Sequence, residues 1–322
     1  MSLCLAPPIE PALARGNTEL PVGERWRYEP KYDGFRALAF VDGAELYLQS
    51  RGLKPLRRYF PELVFPAGRC VLDGEIVIDS GPDAVVQDFD ALQNRLHPAE
   101  SRVRMLAQQT PARFVAFDLL EHDGEVLMER PFLERRQRLA AVLAAVGTPA
   151  PTGVFLTALS ADPADCEPWL AAGEGVVAKL ADAPYAPGKR TAMVKVKRIR
   201  TIDCVVMGYR TGIEPGTVGS LILGLYDDVG RLIPVGHSSG IKPADKKGLL
   251  ARLAPYESGD TGHGDPSRWA SERDLEWVGL RPELVVEVRY DHVSGGRIRH
   301  GTKILAWRED KAPRECRLDQ MD

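Results

Sequence analysis

The stretch Glu29-Pro30-Lys31-Tyr32-Asp33-Gly34-Phe35-Arg36 is the most informative part of this 322-residue chain. A lysine followed two residues later by Asp-Gly is weak evidence by itself, because any protein of this size can contain it by chance. Six further motifs give it weight. In chain order they are Ser50-Arg51-Gly52, Asp73-Gly74-Glu75, Phe117-Asp118, Glu174-Gly175-Val176-Val177-Ala178-Lys179, Lys195-Val196-Lys197 and Arg308-Glu309-Asp310-Lys311. A lysine nucleophile, spaced carboxylates and basic residues together predict nucleotidyl transfer.

A lysine must lose a proton before its amine can attack phosphorus. The reference pKa of a lysine ammonium is about 10.4, so neutralising one at pH 7 costs roughly 4–5 kcal/mol in water. Desolvation and nearby positive charge lower that cost, and Lys195, Lys197 or a bound metal ion would supply the charge. Taken alone, Lys31 is equally well explained as a surface lysine at a strand edge. The motifs downstream of it favour the nucleophile.

Attack on phosphorus places negative charge on oxygens, which fixed cations must stabilise. Arg36 and Arg51 lie in strand-like or turn-like segments and are candidates for phosphate contacts. Lys195 and Lys197 are two residues apart, so on a strand both ammonium groups lie on one face. Spacing alone slightly favours a solvated edge strand for these two lysines.

Two glutamates are candidates for a divalent metal. Glu75 lies within a β-branched run, and Glu174 directly precedes Gly175-Val176-Val177. A carboxylate on an apolar strand is unfavourable unless it meets a metal, a donor or water, and Mg²⁺ is commonly held by one or two carboxylates and substrate phosphates. The alternative for each is a capping or edge residue. Phe117 alternates with Val115, so its pattern favours a core position over stacking on a base.

The composition excludes several classes of protein. The apolar content of 44% and the charged content of 27% are those of a globular chain. A net charge of −3 gives no overall basic footprint, so a nucleic acid would have to meet local patches. The five cysteines show no C-x-x-C spacing and no G-x-x-x-x-G-K-[ST] loop occurs, which disfavours a zinc ribbon, a disulfide framework and a P-loop ATPase.

No stretch approaches the roughly 20 apolar residues that a membrane span needs. Prolines and a glutamate interrupt residues 1–14, which therefore do not resemble a signal peptide. We predict a cytoplasmic protein with no membrane contact.

The first part of the chain shows mixed helix and strand signals. Residues 1–30 are Pro-rich and predict an extended leader that wraps the first domain. Asp42-Gly43 between two apolar runs predicts a β-hairpin, and Glu134–Val146 after Pro131 has helical spacing. The other predicted strands of this part are Val71–Ile78, Arg113–Leu120 and Val176–Leu180.

The composition changes at Lys189–Arg200, where six basic residues fall within twelve positions. Beyond it, five short strands with a helix near Lys242–Leu253 predict a small OB-like barrel, although other small barrels also fit. We place the domain boundary near Arg200 to Asp203. The five predicted strands are Cys204–Tyr209, Ser220–Tyr226, Leu232–Gly236, Leu284–Arg289 and Ile304–Trp307.

In this order the motifs resemble those of the covalent nucleotidyltransferase superfamily, which contains ATP-dependent DNA ligases, RNA ligases and capping enzymes. The chain looks most like the compact bacterial ATP-dependent DNA ligases of the ligase C and ligase D type, over nearly its whole length. The resemblance implies an α+β fold in two domains. Residues 1–200 would form an ATP-grasp-like adenylation domain with antiparallel sheets and flanking helices, and residues 201–322 an OB-fold β-barrel domain.

The resemblance also implies a role for each residue of the first motifs. Lys31 would carry the covalent AMP, with Glu29 near the adenine amino group. Arg36 and Arg51 would hold the ribose or the 5′-phosphate of a nick.

The later motifs would complete the site. Glu75 would contact the ribose and, with Glu174, bind Mg²⁺ or Mn²⁺, while Phe117 stacks on adenine. Lys195 and Lys197 would bind the α-phosphate.

The last motif belongs to the second predicted domain. Arg308, Asp310 and Lys311 match an R-x-D-K pattern that would orient the leaving pyrophosphate when the domains close. The rotation between steps makes Arg198–Asp203 a candidate hinge.

The implied function is ATP-dependent sealing of nicks with 5′-phosphate and 3′-hydroxyl ends in DNA repair. Nicked duplex DNA is the expected substrate, and repair primase-polymerases are candidate partners of an expected monomer. The stand-alone ligase C type is favoured over the multidomain ligase D type, and ATP over NAD. The alternatives are an RNA ligase or capping-type nucleotidyltransferase and, in another class, an inactive OB-containing nucleic-acid-binding protein.

Overall fold

A computed structural model describes residues 3–80, 86–146, 153–212, 214–241, 245–263, 276–290, 292–294, 296–299 and 302–321. The chain divides into two compact units, Met1–Arg198 and Ile199–Asp322. The predicted α+β class is confirmed, and its strands pair in antiparallel fashion apart from two parallel pairs. Within the described residues, no helix is long and apolar enough to cross a membrane.

The first unit combines two sheets with four α-helices among its described residues. Its strands are β1 Ala14–Asn17, β2 Trp26–Pro30, β3 Phe35–Asp42, β4 Glu45–Ser50, β5 Arg69–Val77, β6 Arg113–His122, β7 Glu125–Val126, β8 Val154–Leu156, β9 Gly175–Leu180 and β10 Met193–Lys197. Its helices are α1 Phe89–Asn94, α2 Glu100–Gln109, α3 Phe132–Val146 and α4 Glu167–Ala171. One sheet has the order β4-β3-β5-β6-β7 with β8 beside β6, and the other has the order β1-β10-β9-β2.

Local sequence signals account for the centre of this unit. The hairpin predicted at Asp42-Gly43 joins β3 to β4, and Gly43 has a φ of +64°, a conformation that glycine adopts without strain. Helix α3 begins directly after Pro131, as its position predicts. The three other strands predicted in this part correspond to β5, β6 and β9.

The extended leader predicted for residues 1–30 also contains two strands that the sequence did not predict. β1 pairs in parallel with β10, and β2 pairs with β9. Both partner strands lie more than 140 residues further along the chain. The many prolines of the leader disfavour strands locally, so local propensity gave no signal for these two. The remainder of the leader is held by side chains of the six-stranded sheet, since Glu121 accepts from the backbone of Cys4 and Leu5.

The six-stranded sheet is buried on both faces. On β3, Ala37, Ala39 and Val41 belong to a core that also includes Phe114 of β6 and Leu139 of α3. The alternate residues of β3 face the opposite side. There, Leu38 and Phe40 belong to a cluster with Val71 and Leu120, against which the leader packs through Ala12. The leader covers this second face of the sheet, and it therefore lies beside the segment between β2 and β3.

The second unit is built around one large sheet. Its elements are β11 Arg200–Thr211, β12 Val218–Tyr226, β13 Leu232–Ser238, α5 Asp245–Leu253, β14 Glu257–His263, β15 Glu276–Leu280, β16 Val285–Tyr290, β17 His292–Ser294, β18 Arg297–Arg299 and β19 Lys303–Trp307. The order β13-β12-β11-β15-β14 forms the path of the sheet, and β16 connects β11 to β19. This arrangement fits the predicted OB fold.

Prediction of five strands for this unit was an underestimate. β14, with the sequence Glu-Ser-Gly-Asp-Thr-Gly-His, contains no apolar side chain, so hydrophobic alternation could not reveal it. The predicted helix start at Lys242 lies outside the described residues, and α5 is described from Asp245. Within the segment predicted as a hinge, Arg198–Asp203, only Arg198 and Ile199 lie outside strands, because β11 begins at Arg200; the hinge itself stays a prediction.

Candidate active site

The segment between β2 and β3 carries Lys31, and its backbone is held in place from two sides. The Lys31 N–H donates to the carbonyl of Gly175 at the start of β9, at 2.9 Å. Gly34 lies so close to β5 that a Cβ there would overlap the carbonyl oxygen of Ile76. Gly34 therefore permits close packing of the segment against β5, which holds the Lys31 backbone between two sheets.

A cavity of about 260 Å³ opens beside Lys31. It brings together seven of the predicted site residues, namely Glu29, Lys31, Arg36, Arg51, Glu75, Phe117 and Lys195. Residues 11–14 of the leader form part of its wall, together with Val177 and Lys179 of β9. Glu174 and Lys197, although described, do not line this cavity.

Arg36 is held rigidly by a buried carboxylate. Its Nε and Nη2 atoms each donate to Asp73 at 2.6 Å, and the Tyr185 hydroxyl donates to the same carboxylate at 2.7 Å. Burial alone would lower the pKa of Arg36, but Asp73 outweighs it and raises that pKa. The guanidinium lies 4.4 Å from the ring centroid of Phe117. Arg36 is thus a fixed cation at the cavity wall.

Tyr185 also connects this network to the leader. Its hydroxyl accepts a hydrogen bond from the backbone N–H of Ala12 at 3.0 Å. Burial, and next the negative charge of Asp73, raise the pKa of Tyr185 well above its ordinary value, so the phenol remains a donor to Asp73. One side chain therefore links the leader wall to Arg36.

Glu29 and Lys179 form a second buried pair in the cavity wall. The Lys179 Nζ lies 2.7 Å from Oε2 of Glu29 and 4.5 Å from the ring centroid of Phe117. Burial raises the pKa of Glu29, and Lys179 opposes that rise. The other oxygen, Oε1, is buried and has no hydrogen-bond partner within the described part of the chain. Glu29 lines the cavity, so this unpaired oxygen is an acceptor that still lacks a donor.

The pKa values of Glu75 and Lys195 are both shifted toward neutral pH. Burial raises the pKa of Glu75 to about 7, although the charges of Arg36 and Lys31 oppose the rise. Burial lowers the pKa of Lys195, and the neighbouring cations Lys197 and Lys31 add to the effect. Shifts of this kind, caused by burial together with specific charged neighbours, are typical of functional sites.

The donor set of the cavity fits a hard divalent cation bound jointly with phosphate. Among the described residues, no group of three or more His, Cys, Asp or Glu side chains could hold a metal ion. The carboxylates of Glu75 and Asp33 line the cavity. Mg²⁺ commonly takes only one or two protein carboxylates and completes its octahedron with phosphate and water.

A basic groove adjoins the cavity. Its volume is about 740 Å³, and it shares Arg36, Arg51 and Glu75 with the first cavity. The exposed side chains of Lys54 and Arg58 line its outer part. The backbone N–H of Arg51 donates to the carbonyl of Arg36 at 3.1 Å, so the loop that carries Arg51 is fixed to β3.

The last motif lies in the second unit and is organised by Asp203. Arg308 Nη1 donates to Asp203 Oδ1 at 3.0 Å, and Lys311 Nζ donates to Oδ2 at 2.7 Å. Arg308 also donates two hydrogen bonds to Asp310, from Nε to Oδ1 and from Nη2 to Oδ2, each 2.9 Å long. The hydrogen bonds from Arg308 lower the pKa of Asp310 to about 2, and Asp203 raises the pKa of Lys311.

Sequence reasoning missed four residues of these networks. Lys179 and Asp73 lie inside the quoted motifs but received no role. Tyr185 and Asp203 carried no signal, because each acts on a residue more than 100 positions away in sequence. Contacts between residues so far apart in sequence become visible only in the three-dimensional structure.

Two family models match this chain. The model described as ATP dependent DNA ligase domain matches residues 19–197, and the model described as ATP dependent DNA ligase C terminal region matches residues 214–311. The chain belongs to the ATP-dependent DNA ligase family. The predicted family and enzyme class are therefore confirmed, with ATP as the nucleotide.

Relatives of this ligase support the same assignment. It is 45% identical to DNA ligase C1 of Mycolicibacterium smegmatis and 41% identical to DNA ligase C of Mycobacterium tuberculosis, each time over 100% of this chain and 96% of the relative. Among solved structures, the ligase domain of M. tuberculosis LigD is 29% identical, with a TM-score of 0.52 over 96% of this chain and 97% of that one. A mycobacterial DNA ligase D complexed with ATP and MES gives a TM-score of 0.53 at 29% identity, with the same coverage.

Proposed function

We propose that this ligase seals nicks between a 5′-phosphate and a 3′-hydroxyl through an AMP carried on Lys31. The observation that carries the proposal is the single cavity that holds Lys31 beside an aromatic ring, a buried free acceptor and fixed cations. Glu29 and Phe117 would bind the adenine by hydrogen bonding and stacking, respectively. Arg51 and Lys195 would bind its phosphates.

In the first step, the Nζ of Lys31 attacks the α-phosphorus of ATP. A nitrogen–phosphorus bond forms, the bond to pyrophosphate breaks, and the proton from Nζ passes to solvent. Lys195 stabilises the charge that develops on the α-phosphate oxygens, and Lys197 assists it through the positive potential that it adds at Lys195.

In the second and third steps, the AMP moves to DNA and then leaves. An oxygen of the 5′-phosphate attacks the phosphorus of the lysyl adenylate, and the nitrogen–phosphorus bond breaks. The 3′-hydroxyl then attacks the activated 5′-phosphate and releases AMP. Arg36 and Arg51 lie where the cavity meets the basic groove, which suits them to bind the 5′-phosphate in both steps.

We propose Glu75 as the principal protein ligand of Mg²⁺ or Mn²⁺. A bound divalent cation would neutralise charge on the phosphate oxygens. It would also favour the ionised form of Glu75, which burial alone disfavours. Glu174 remains a predicted second ligand. Its backbone lies next to Gly175, the residue that accepts from Lys31 N–H, but its side chain does not line the cavity.

We assign adenylation to the first unit and the orientation of pyrophosphate to the OB-fold unit, through Arg308, Asp310 and Lys311. DNA is the substrate class of the family. The restriction to nicked duplex, a role in repair beside primase-polymerases, a monomeric state and a cytoplasmic location stay predictions.

The test of the function uses α-³²P-ATP with Mg²⁺, followed by a chase with nicked duplex DNA. We expect label to enter the protein and then to leave as AMP while the strand is sealed. Absence of label, after treatment with pyrophosphate to remove preloaded AMP, would overturn the proposal. Label that stays on the protein would point to a different acceptor, of which RNA is the first to test.

The basic groove leads to a prediction about nick binding. Lys54→Ala and Arg58→Ala should each weaken binding of nicked DNA and reduce the slope of log K against log salt by about 1, because each removes one phosphate contact. Formation of lysyl-AMP should be unchanged. The measurement is fluorescence anisotropy of labelled nicked duplex over a series of salt concentrations.

The matched control for the groove is Arg104→Ala. Arg104 is exposed on α2, where it pairs with Glu100, and it does not line the groove. A slope that changes as much in this control as in the groove variants would mean that the groove does not hold the DNA backbone.

A further inference from the structure

We propose that Lys179 is a positioning residue that determines the preference of this site for adenine over guanine, because it holds the carboxylate of Glu29 in one orientation. The inference rests on the proposed lysyl-AMP chemistry and assigns a role to a side chain that the sequence motifs left without one.

The geometry around Glu29 is asymmetric. Lys179 Nζ binds Oε2 at 2.7 Å, whereas Oε1 has no hydrogen-bond partner within the described chain. Arg136 also faces Oε1, but its Nε lies 3.9 Å away, beyond hydrogen-bonding distance. Both Glu29 and Lys179 are almost fully buried, with 2% and 4% of their surfaces exposed. The carboxylate is thus hydrogen-bonded through Oε2, whereas Oε1 is buried and unpaired within the described chain.

Rigid surroundings keep Lys179 in this position. Its ammonium lies 4.5 Å from the ring centroid of Phe117 and 4.7 Å from that of Phe132. It also donates to the carbonyl of Phe117, at 3.4 Å. Phe117 is the ring proposed to stack on the base, so the lysine fixes the acceptor and the stacking platform together.

An ionised carboxylate distinguishes the two purines at their 6-position. Adenine has an exocyclic amine there, which donates a hydrogen bond that Oε1 can accept. Guanine has a carbonyl oxygen there, which would face Oε1 as a second acceptor. A buried acceptor left facing another acceptor is strongly unfavourable, and sites of this type reject the wrong ligand effectively.

Discrimination therefore depends on Glu29 remaining ionised. Burial raises the pKa of Glu29, and the charge of Lys179 is the largest opposing influence, followed by that of Arg136. Without Lys179, protonation of Glu29 would convert its acceptor into a donor that suits guanine. Loss of Lys179 should for this reason change the choice of base, beyond any general loss of activity.

The experiment compares α-³²P-ATP and α-³²P-GTP as donors for labelling the protein in the presence of Mg²⁺. We expect Lys179→Met and Glu29→Gln each to reduce the ATP/GTP ratio of labelling efficiency by at least about tenfold. Lys179→Arg, which keeps the charge, should hold the ratio within about threefold of wild type. Equal losses with both nucleotides in Lys179→Met, leaving the ratio unchanged, would overturn the inference.

If Lys179→Met does not fold, a double variant can still test the inference. Glu29→Gln combined with Lys179→Met removes both charges, so no unpaired buried ion remains. Because Lys179 acts through the carboxylate, its removal should leave the ratio of Glu29→Gln unchanged. A further fall in the ratio would show that Lys179 recognises the base by another route.

A matched control separates specificity from stability. Arg95 is a fully buried cation that binds Glu62 through two bonds and lies 5.1 Å from the Phe60 ring centroid, outside the cavity. Arg95→Met should lower the Tm without altering the ATP/GTP ratio. If wild-type protein takes no label from ATP, the proposed ligase chemistry fails; if it does and Lys179→Met keeps the wild-type ratio, only the present inference fails.

Discussion

Lys31→Ala abolishes transfer of AMP to the protein, with a loss that we expect to exceed about 10⁴-fold, because the variant lacks the nucleophile on which the step depends. The fold should be retained. Within the described part of the chain, the Lys31 side chain makes one hydrogen bond, to the carbonyl of Tyr32 at 3.3 Å, and the backbone bond to Gly175 does not require the side chain. Labelling with α-³²P-ATP measures the loss, and thermal unfolding checks the fold.

The third step needs no lysine nucleophile, which provides an internal test for the same variant. Lys31→Ala should retain sealing of a nick that already carries a 5′-adenylate far better than it retains labelling. Lys189→Ala is the matched control, since Lys189 is an exposed lysine of the basic run and does not line the cavity. Wild-type labelling of Lys31→Ala would show that another residue carries the AMP.

Arg308→Ala and Lys311→Ala should impair lysyl-AMP formation by about 10²–10³-fold, the scale found when one fixed charge is removed from a phosphoryl or acyl transition state. Sealing of a pre-adenylated nick should fall far less, because pyrophosphate takes no part in it. Asp203 binds both residues. Each variant therefore leaves Asp203 with one cation, and the local structure should persist. Single-turnover assays of the two steps measure the split.

The control for this division of labour is Arg314→Ala. Arg314 is an arginine of the same unit that binds the carbonyl of Gly230 and lies over the Tyr226 ring, away from Asp203. It should leave both steps near wild type. Equal losses of adenylation and sealing in the Arg308 and Lys311 variants would contradict a role confined to pyrophosphate.

Local sequence patterns were sufficient to predict the structure of segments whose conformation is set by their own residues. Asp42-Gly43 specified the β3–β4 turn, and Pro131 marked the start of α3, because both act through backbone conformation. Periodicity failed for β14, whose residues are polar or glycine and are mostly exposed. That strand exists because β15 offers a hydrogen-bonding partner, which no local window reveals.

The candidate site divides in the same way. Residues inside short motifs, such as Lys31, Glu75 and Lys195, could be selected from the sequence, and the structure places them around one cavity. Their roles stay predictions until they are measured. The residues that orient them could not be selected, because the contact of Tyr185 with Asp73 spans 112 positions and that of Arg308 with Asp203 spans 105.

The part of the leader that lines the cavity has a consequence for the order in which the protein folds during synthesis. Residues 11–14 line the cavity, but β1 pairs in parallel with β10, from which it is separated by roughly 180 positions. A chain that leaves the ribosome in order must keep this early segment unpaired until Met193–Lys197 has emerged. Loop-closure entropy makes such a distant pairing slow relative to the hairpin of β3 and β4. Competence to bind nucleotide should consequently appear late on the translating ribosome, after the six-stranded sheet has already formed.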